Sequence, residues 1–180
     1  MRKLLIISLL SVGCSQSSNE NTTKTYFDLA GFINQKITQL SDSKPLTNKK
    51  LLIGEKTENI QTKDIDWKKE LELFLQADLN KQSYQLSYAK DSSQNMLIYQ
   101  LKKGENLPVK TLKIEFDKEK SPKHIEALMQ VENYLYKSEK KLSMDLDKKQ
   151  LKNYQIEGWQ ELFVGSKKSF KVVGILAYKK

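Results

Sequence analysis

The chain reads as α+β: two helices packed on one curved antiparallel sheet of about seven to eight strands. Two observations predict this. Up to Leu79, apolar side chains recur at spacings of three and four within two segments. After Leu79, short runs alternate apolar and polar positions, with turn residues between them. No internal repeat and no second domain boundary interrupts this order, so residues 24–180 are expected to form a single domain.

Taken in order, Thr25-Tyr26-Phe27-Asp28 is a loose capping box, a hydroxyl followed three residues later by an acid. Tyr26, Leu29, Ile33, Ile37 and Leu40 continue it as a helical stripe, which ends at Ser41-Asp42-Ser43-Lys44-Pro45. Residues 50–55 predict a short strand, with 58–62 returning beside it. Asp64 or Asp66 caps a second helix. Trp67, Leu71, Phe74 and Leu75 lie on one side of it, and Asp78 is its polar exit.

Tyr84, Leu86 and Tyr88 alternate with polar residues and predict the next strand. Residues 96–101 follow the turn signal Asp91-Ser92-Ser93-Gln94-Asn95. Leu112, Ile114 and Phe116 make the cleanest period-two run, and Ile125, Ala127, Met129 and Val131 repeat it. Two shorter strands are expected at 134–137 and 142–146. The chain closes with 154–164 and 170–178, joined by Gly165-Ser166-Lys167-Lys168. The last strand is apolar on both sides, with Phe170, Val172, Leu176 and Tyr178 opposite Val173, Ile175 and Ala177. That pattern predicts a strand covered on both faces.

Ahead of the domain stands Met1-Arg2-Lys3-Leu4-Leu5-Ile6-Ile7-Ser8-Leu9-Leu10-Ser11-Val12-Gly13-Cys14. Two basic residues, a short apolar run and small residues before the only cysteine form a secretory signal. The run is too short to span a bilayer as a helix, which needs about 20 apolar residues. The arrangement resembles the signal peptide of bacterial lipoproteins, with Ser11 where that family usually has leucine. The resemblance implies that residues 1–13 are removed and that Cys14 becomes a diacylated N-terminus. It also implies the outer membrane as the address, because Ser15 replaces the aspartate that favours inner-membrane retention in enteric bacteria. Residues 14–23 have no apolar side chain to bury after Cys14 and read as a lipidated, solvated tether. An ordinary secretory signal with an incidental cysteine is the plain alternative.

The chain has 31 basic and 22 acidic residues, a net charge of +9. Arg2 is the only arginine, so the positive charge of the domain is all lysine. Lysine is a hydrated point charge without the planar fork that grips phosphates, so no nucleic-acid partner is expected. The Lys-Lys pairs are spread from 49–50 to 179–180 and read as solvated loops and strand ends. Their functional alternative is loose attraction to anionic headgroups near the anchor, about 1 kcal/mol per lysine close to the surface.

No chemical site emerges. His124 alternates onto the more polar face with Glu126 and Gln130, and no second histidine or free cysteine completes a zinc set. Ser-x-x-Lys at Ser41/Lys44, Ser87/Lys90 and Ser138/Lys141 is the chance yield of a lysine-rich chain. Asp64-Ile65-Asp66 and Asp145-Leu146-Asp147 are followed by lysine where a calcium loop needs oxygen ligands. No phosphate-binding glycine loop is present. The reading is therefore no catalytic residue, no metal and no cofactor. Trp159 and Phe163 stand out as large aromatics on the same strand face as Glu157 and Glu161, a candidate binding surface. Coverage by a helix or the chain end is the alternative.

Tyr26-Phe27-Asp28-Leu29-Ala30-Gly31-Phe32, Trp67-Lys68-Lys69-Glu70-Leu71-Glu72-Leu73-Phe74 and Asp78-Leu79-Asn80-Lys81 resemble a set of uncharacterised lipoproteins of the Bacteroidetes. That resemblance implies phylum and address, and no activity. In layout alone, the chain is similar to the outer-membrane lipoprotein-sorting proteins, which hold acyl chains between an antiparallel half-barrel and helices. The expected function is a membrane-anchored, non-enzymatic envelope lipoprotein that binds an apolar ligand or a partner protein. The alternatives are an assembly or scaffold subunit, and a carboxylate-dependent hydrolase of envelope polymers.

Overall fold

Asp28, rather than Thr25 of the expected capping box, opens the first helix, α1 (Leu29–Ser43), by accepting a hydrogen bond from the Gly31 amide at 2.9 Å, and Tyr26 lies ahead of the helix. The helix closes on Lys44, which takes a left-handed conformation (φ 41°) and bonds back to the Leu40 carbonyl. Its inward stripe is Leu29, Ile33, Lys36 and Leu40. These positions come from a computed structural model that describes residues 24–178. The expected signal segment 1–13, the expected acylation site Cys14 and the expected tether 14–23 lie outside the described residues.

The second predicted helix is two. α2 (Trp67–Glu70) is capped by Asp66, and α3 (Glu72–Gln76) follows across Leu71, whose φ of −101° and ψ of 11° fall in the bridge region. Neither Gly nor Pro marks the kink, so a periodicity reading runs straight through it. Trp67, Leu71 and Phe74 all stay buried.

The sheet has nine strands, one more than the upper end of the expected range, in the order β2-β1-β9-β8-β7-β6-β5-β4-β3. The strands are β1 (Leu46–Ile53), β2 (Lys56–Thr62), β3 (Tyr88–Ser93), β4 (Met96–Leu101), β5 (Val109–Phe116), β6 (Pro122–Glu132), β7 (Tyr136–Asp147), β8 (Gln150–Leu162) and β9 (Lys168–Ala177). Every pairing is antiparallel. With three helices in place of two, the class stands and the counts are corrected.

Three local expectations change. The two short strands at 134–137 and 142–146 are one strand, β7, because the lysines between them sit in a continuous ladder with β6 and β8. Tyr84 and Leu86 are not in a strand. Gln82–Tyr84 is a 3₁₀ turn, and Leu86 has φ 63° with its side chain in solvent. β9 is not covered on both sides. Leu176 is buried beneath the helices, whereas Ile175 on the other face is 54% exposed.

All helix–sheet contacts fall on one face. Trp67 meets Tyr154 edge to face at 6.2 Å, Tyr26 meets Tyr99 at 5.4 Å, and Phe27 meets Phe116 at 6.2 Å. Leu112, Ile114, Ile125, Met144 and Tyr154 line this face at 0% exposure, which leaves no room for a ligand between the layers. Gly174 is required here. A Cβ at that position would lie 2.2 Å from Cε1 of Tyr154, whose ring lies across it. The Tyr154 hydroxyl donates to Glu70 Oε1 at 2.6 Å, and Lys49 Nζ lies 2.5 Å from Glu70 Oε2, so one carboxylate ties α2 to β8 and β1.

The start of the domain is held by its own neighbourhood. Asn80 accepts from the Tyr26 amide at 3.0 Å and donates to the Phe27 carbonyl, while Asp78 accepts from the Ala30 amide at 3.2 Å. Residues 26–32 and 78–81, two of the stretches quoted above for their resemblance, thus form one structural unit.

Candidate binding face

The opposite face of the sheet carries no helix among the described residues. Its side chains come from the polar half of each strand's alternation, so charge dominates. Cross-strand pairing places Glu115 and Asp145 opposite His124, and Lys113 opposite Glu126. Lys113 Nζ lies 2.7 Å from Glu115 and 3.9 Å from Glu126, and Lys123 reaches Glu115 at 3.6 Å. The bond from Lys113 holds the Glu115 carboxyl below its ordinary range, and the same bond raises Lys113.

His124 is half-buried in this ladder. Its Nδ1 is 2.5 Å from Asp145 Oδ1, and its Nε2 is 3.3 Å from Glu126 Oε1. Burial by itself lowers the imidazole pKa, but the bonds to Asp145 and Glu126 outweigh it, and the net shift is upward. The sequence placed the histidine on this face. The carboxylate on the neighbouring strand is set by the β6–β7 register and is invisible to alternation. Among the described residues, no group of three His, Cys, Asp or Glu side chains could hold a metal ion.

Two shallow grooves run across the face. One, of about 440 Å³, is floored by Ile98 and Leu128 and walled by Lys113, Glu126, Lys141 and Gln155. The other, of about 350 Å³, lies between Leu52, Glu139, Glu157, Trp159 and Lys171. Lys141 and Glu157 belong to both, so the grooves adjoin. Glu157 is paired with Lys171 at 3.0 Å. Gly158 keeps β7 and β8 close beside the second groove, since a Cβ there would meet the Glu139 carbonyl oxygen at 2.1 Å.

The two aromatics singled out from sequence have different settings. Trp159 is half-buried in the second groove, and its ring is covered by Lys167, whose Nζ stands 4.0 Å from the ring centroid. The cover is therefore a side chain of the β8–β9 loop and not a helix. Phe163 lies beyond the end of β8 and is 84% exposed; its amide donates to the Leu135 carbonyl at 2.8 Å. Leu128 is a lone large apolar residue in a polar register, and Ile98 lies in a strand apolar in both registers, so alternation singles out neither; only the packing of adjacent strands sets them side by side.

No helix among the described residues is long and apolar enough to cross a membrane. Comparison of the chain with protein-family models, with curated proteins and with solved structures gives no match.

Proposed function

We propose that this chain is a lipid-anchored, non-enzymatic envelope protein of the outer membrane that holds a partner protein on the uncovered face of its sheet. The anchor rests on the Met1–Cys14 pattern. The binding face rests on one observation: the space between helices and sheet is filled by large buried side chains, and the cleft of about 640 Å³ outside it at the start of α1 is walled by Lys24, Asp28, Asn34 and Asp78, while the uncovered face is a nine-stranded surface with two adjoining grooves that hold Trp159, Leu128 and Ile98. A carrier of acyl chains needs an enclosed apolar chamber, and the grooves are open and rimmed by ion pairs. A protein surface suits them better, since rim charges set register while Trp159, Leu128 and Ile98 supply apolar contact. A small apolar ligand seated over Ile98 and Leu128 is the second reading, favoured by the 440 Å³ volume of that groove.

Two measurements test this. Mass spectrometry of the native N-terminus should find residues 1–13 removed and Cys14 acylated; an intact leader removes the anchor reading. A photocrosslinking residue placed at Gln155 should trap a partner in intact cells, whereas one at Gln35, on the outer side of α1, should not. Equal trapping at both positions, or none at either, removes the partner reading. A discrete small molecule co-purifying with the chain would transfer the face to the ligand reading.

A further inference from the structure

Antiparallel connectivity sorts the turns to two ends of the sheet. One end gathers the β1–β2 turn, the start of β3, the β4–β5 loop, the β6–β7 turn and the β8–β9 loop. Seven of the nine exposed large apolar residues among the described residues are sorted with them; Ile60 and Ile175 lie within strands instead. Tyr134 (84% exposed) and Leu135 sit on the β6–β7 turn; Leu162, Phe163 and Val164 (82%) sit at the end of β8 and in the loop beyond it. The two tips are bonded together through the Phe163 amide and the Leu135 carbonyl. Ile53 and Leu86 lie at the same end. At the opposite end the turns are Gln94-Asn95, Asp117–Lys120 and Lys148-Lys149, all polar.

Folding does not require apolar residues on these tips, and their exposure costs solubility. Lys137, Lys167 and Lys168 flank them, and with Lys102 and Lys103 of the adjacent loop they outnumber Glu105, Glu132 and Glu161. Aromatic and aliphatic tips flanked by lysine fit a surface that is apolar beneath and anionic at the rim. The two tips form one protruding apolar edge, which suits shallow insertion into a lipid interface. Near the start of the described chain the Tyr26 hydroxyl reaches this end, meeting the Tyr84 carbonyl and the Tyr88 amide at the start of β3, while the neighbouring Phe27 ring lies on Phe116 toward the other end. Nine residues lie between Cys14 and Lys24, ten steps along the chain with a reach of at most about 35 Å fully extended.

We infer that the paired tips at Tyr134-Leu135 and Leu162-Phe163-Val164 form a second membrane contact, inserting into the interface of anionic phospholipid and setting the domain's orientation. The tip geometry stands by itself; only the argument from tether length rests on the lipid-anchor reading of Cys14. In the resulting orientation the strands rise from the membrane and the uncovered sheet face looks sideways.

The test uses the full chain with Cys14→Ser, which has no acyl chain, and sedimentation with vesicles of phosphatidylcholine alone or with about 30% phosphatidylglycerol. Binding is expected on the anionic vesicles, with at least a ten-fold loss in the Tyr134→Ser/Phe163→Ser/Val164→Ser variant. These side chains are exposed, so an unchanged melting temperature should accompany the loss. A Phe163→Trp variant should be quenched by lipids brominated along the acyl chain. Absence of binding to either vesicle, or binding that the triple substitution leaves intact, overturns the proposal. Concentration-dependent self-association abolished by Phe163→Ser, without vesicle binding, would assign the tips to a second copy of the chain and also overturn it. Acylation of native Cys14 is scored separately, so the tips and the anchor can fail independently.

Discussion

Replacing Tyr154 by phenylalanine tests the contact that seals the helix side of the sheet. The ring stays, and with it the packing on Trp67 and over Gly174; only the hydroxyl that meets Glu70 at 2.6 Å is removed. Glu70 keeps Lys49 at 2.5 Å on its other oxygen, so the carboxylate is not left bare. A hydrogen bond to a charged acceptor is worth roughly 1.5–3 kcal/mol. For a domain of this size each kcal/mol moves the midpoint by about 2–4 °C, so the loss should be roughly 3–12 °C. In a Glu70→Gln background the same hydroxyl meets a neutral acceptor, and its removal should cost only about 0.5–1.5 kcal/mol. Urea unfolding followed by far-ultraviolet circular dichroism gives all four stabilities of the cycle. Equal costs in both backgrounds, or no cost in either, would show that the carboxylate does not hold the hydroxyl. The claim that one acid ties α2 to β8 and β1 would then fail.

Further outcomes follow from neighbouring observations. Gly174→Ala should destabilise by about 1–3 kcal/mol, because the new methyl overlaps the Tyr154 ring, and most of that cost should vanish in a Tyr154→Ala background. His124 should titrate above 6.5 by proton NMR. Its folded pKa is raised, so its contribution to stability is fully present below about pH 6.5 and fades as pH rises through the folded value. His124→Gln should remove that pH dependence, and an unshifted titration would refute the Asp145 contact. Lys36→Met should change stability by less than about 1 kcal/mol, because the buried ammonium, bonded to the Lys149 carbonyl at 2.7 Å, is held below its usual pKa first by burial and then by the Lys149 charge. Lys167→Ser should uncover Trp159, seen as greater quenching of its fluorescence by iodide, while Trp67 stays protected.

The class of fold was legible because helical and strand periodicities differ, and each segment repeats its own period. Leu29, Ile33 and Leu40 in α1 and Ile125, Ala127 and Met129 in β6 are buried as their spacing predicts. The count rose to nine because the β1–β2 hairpin, which precedes the second helix, joins the sheet edge through β9, while the two short strands expected at 134–137 and 142–146 merge into β7. Covered and uncovered strand faces look alike in a sequence when both are apolar, and β9 was misjudged for that reason.

What the residue order determined by itself is local: the helical and strand periods, and the Asp64-Ile65-Asp66 stretch within which the cap of α2 falls at Asp66. What only the tertiary structure decided is adjacency. Strand register brought Asp145 to His124, and the neighbouring strands set Leu128 beside Ile98. Antiparallel turns collected Tyr134 and Phe163, far apart along the chain, at one end of the sheet. The physical reason is that side-chain alternation depends on nearest neighbours along the chain, whereas contacts across a ladder depend on hydrogen bonds between residues that the sequence holds far apart.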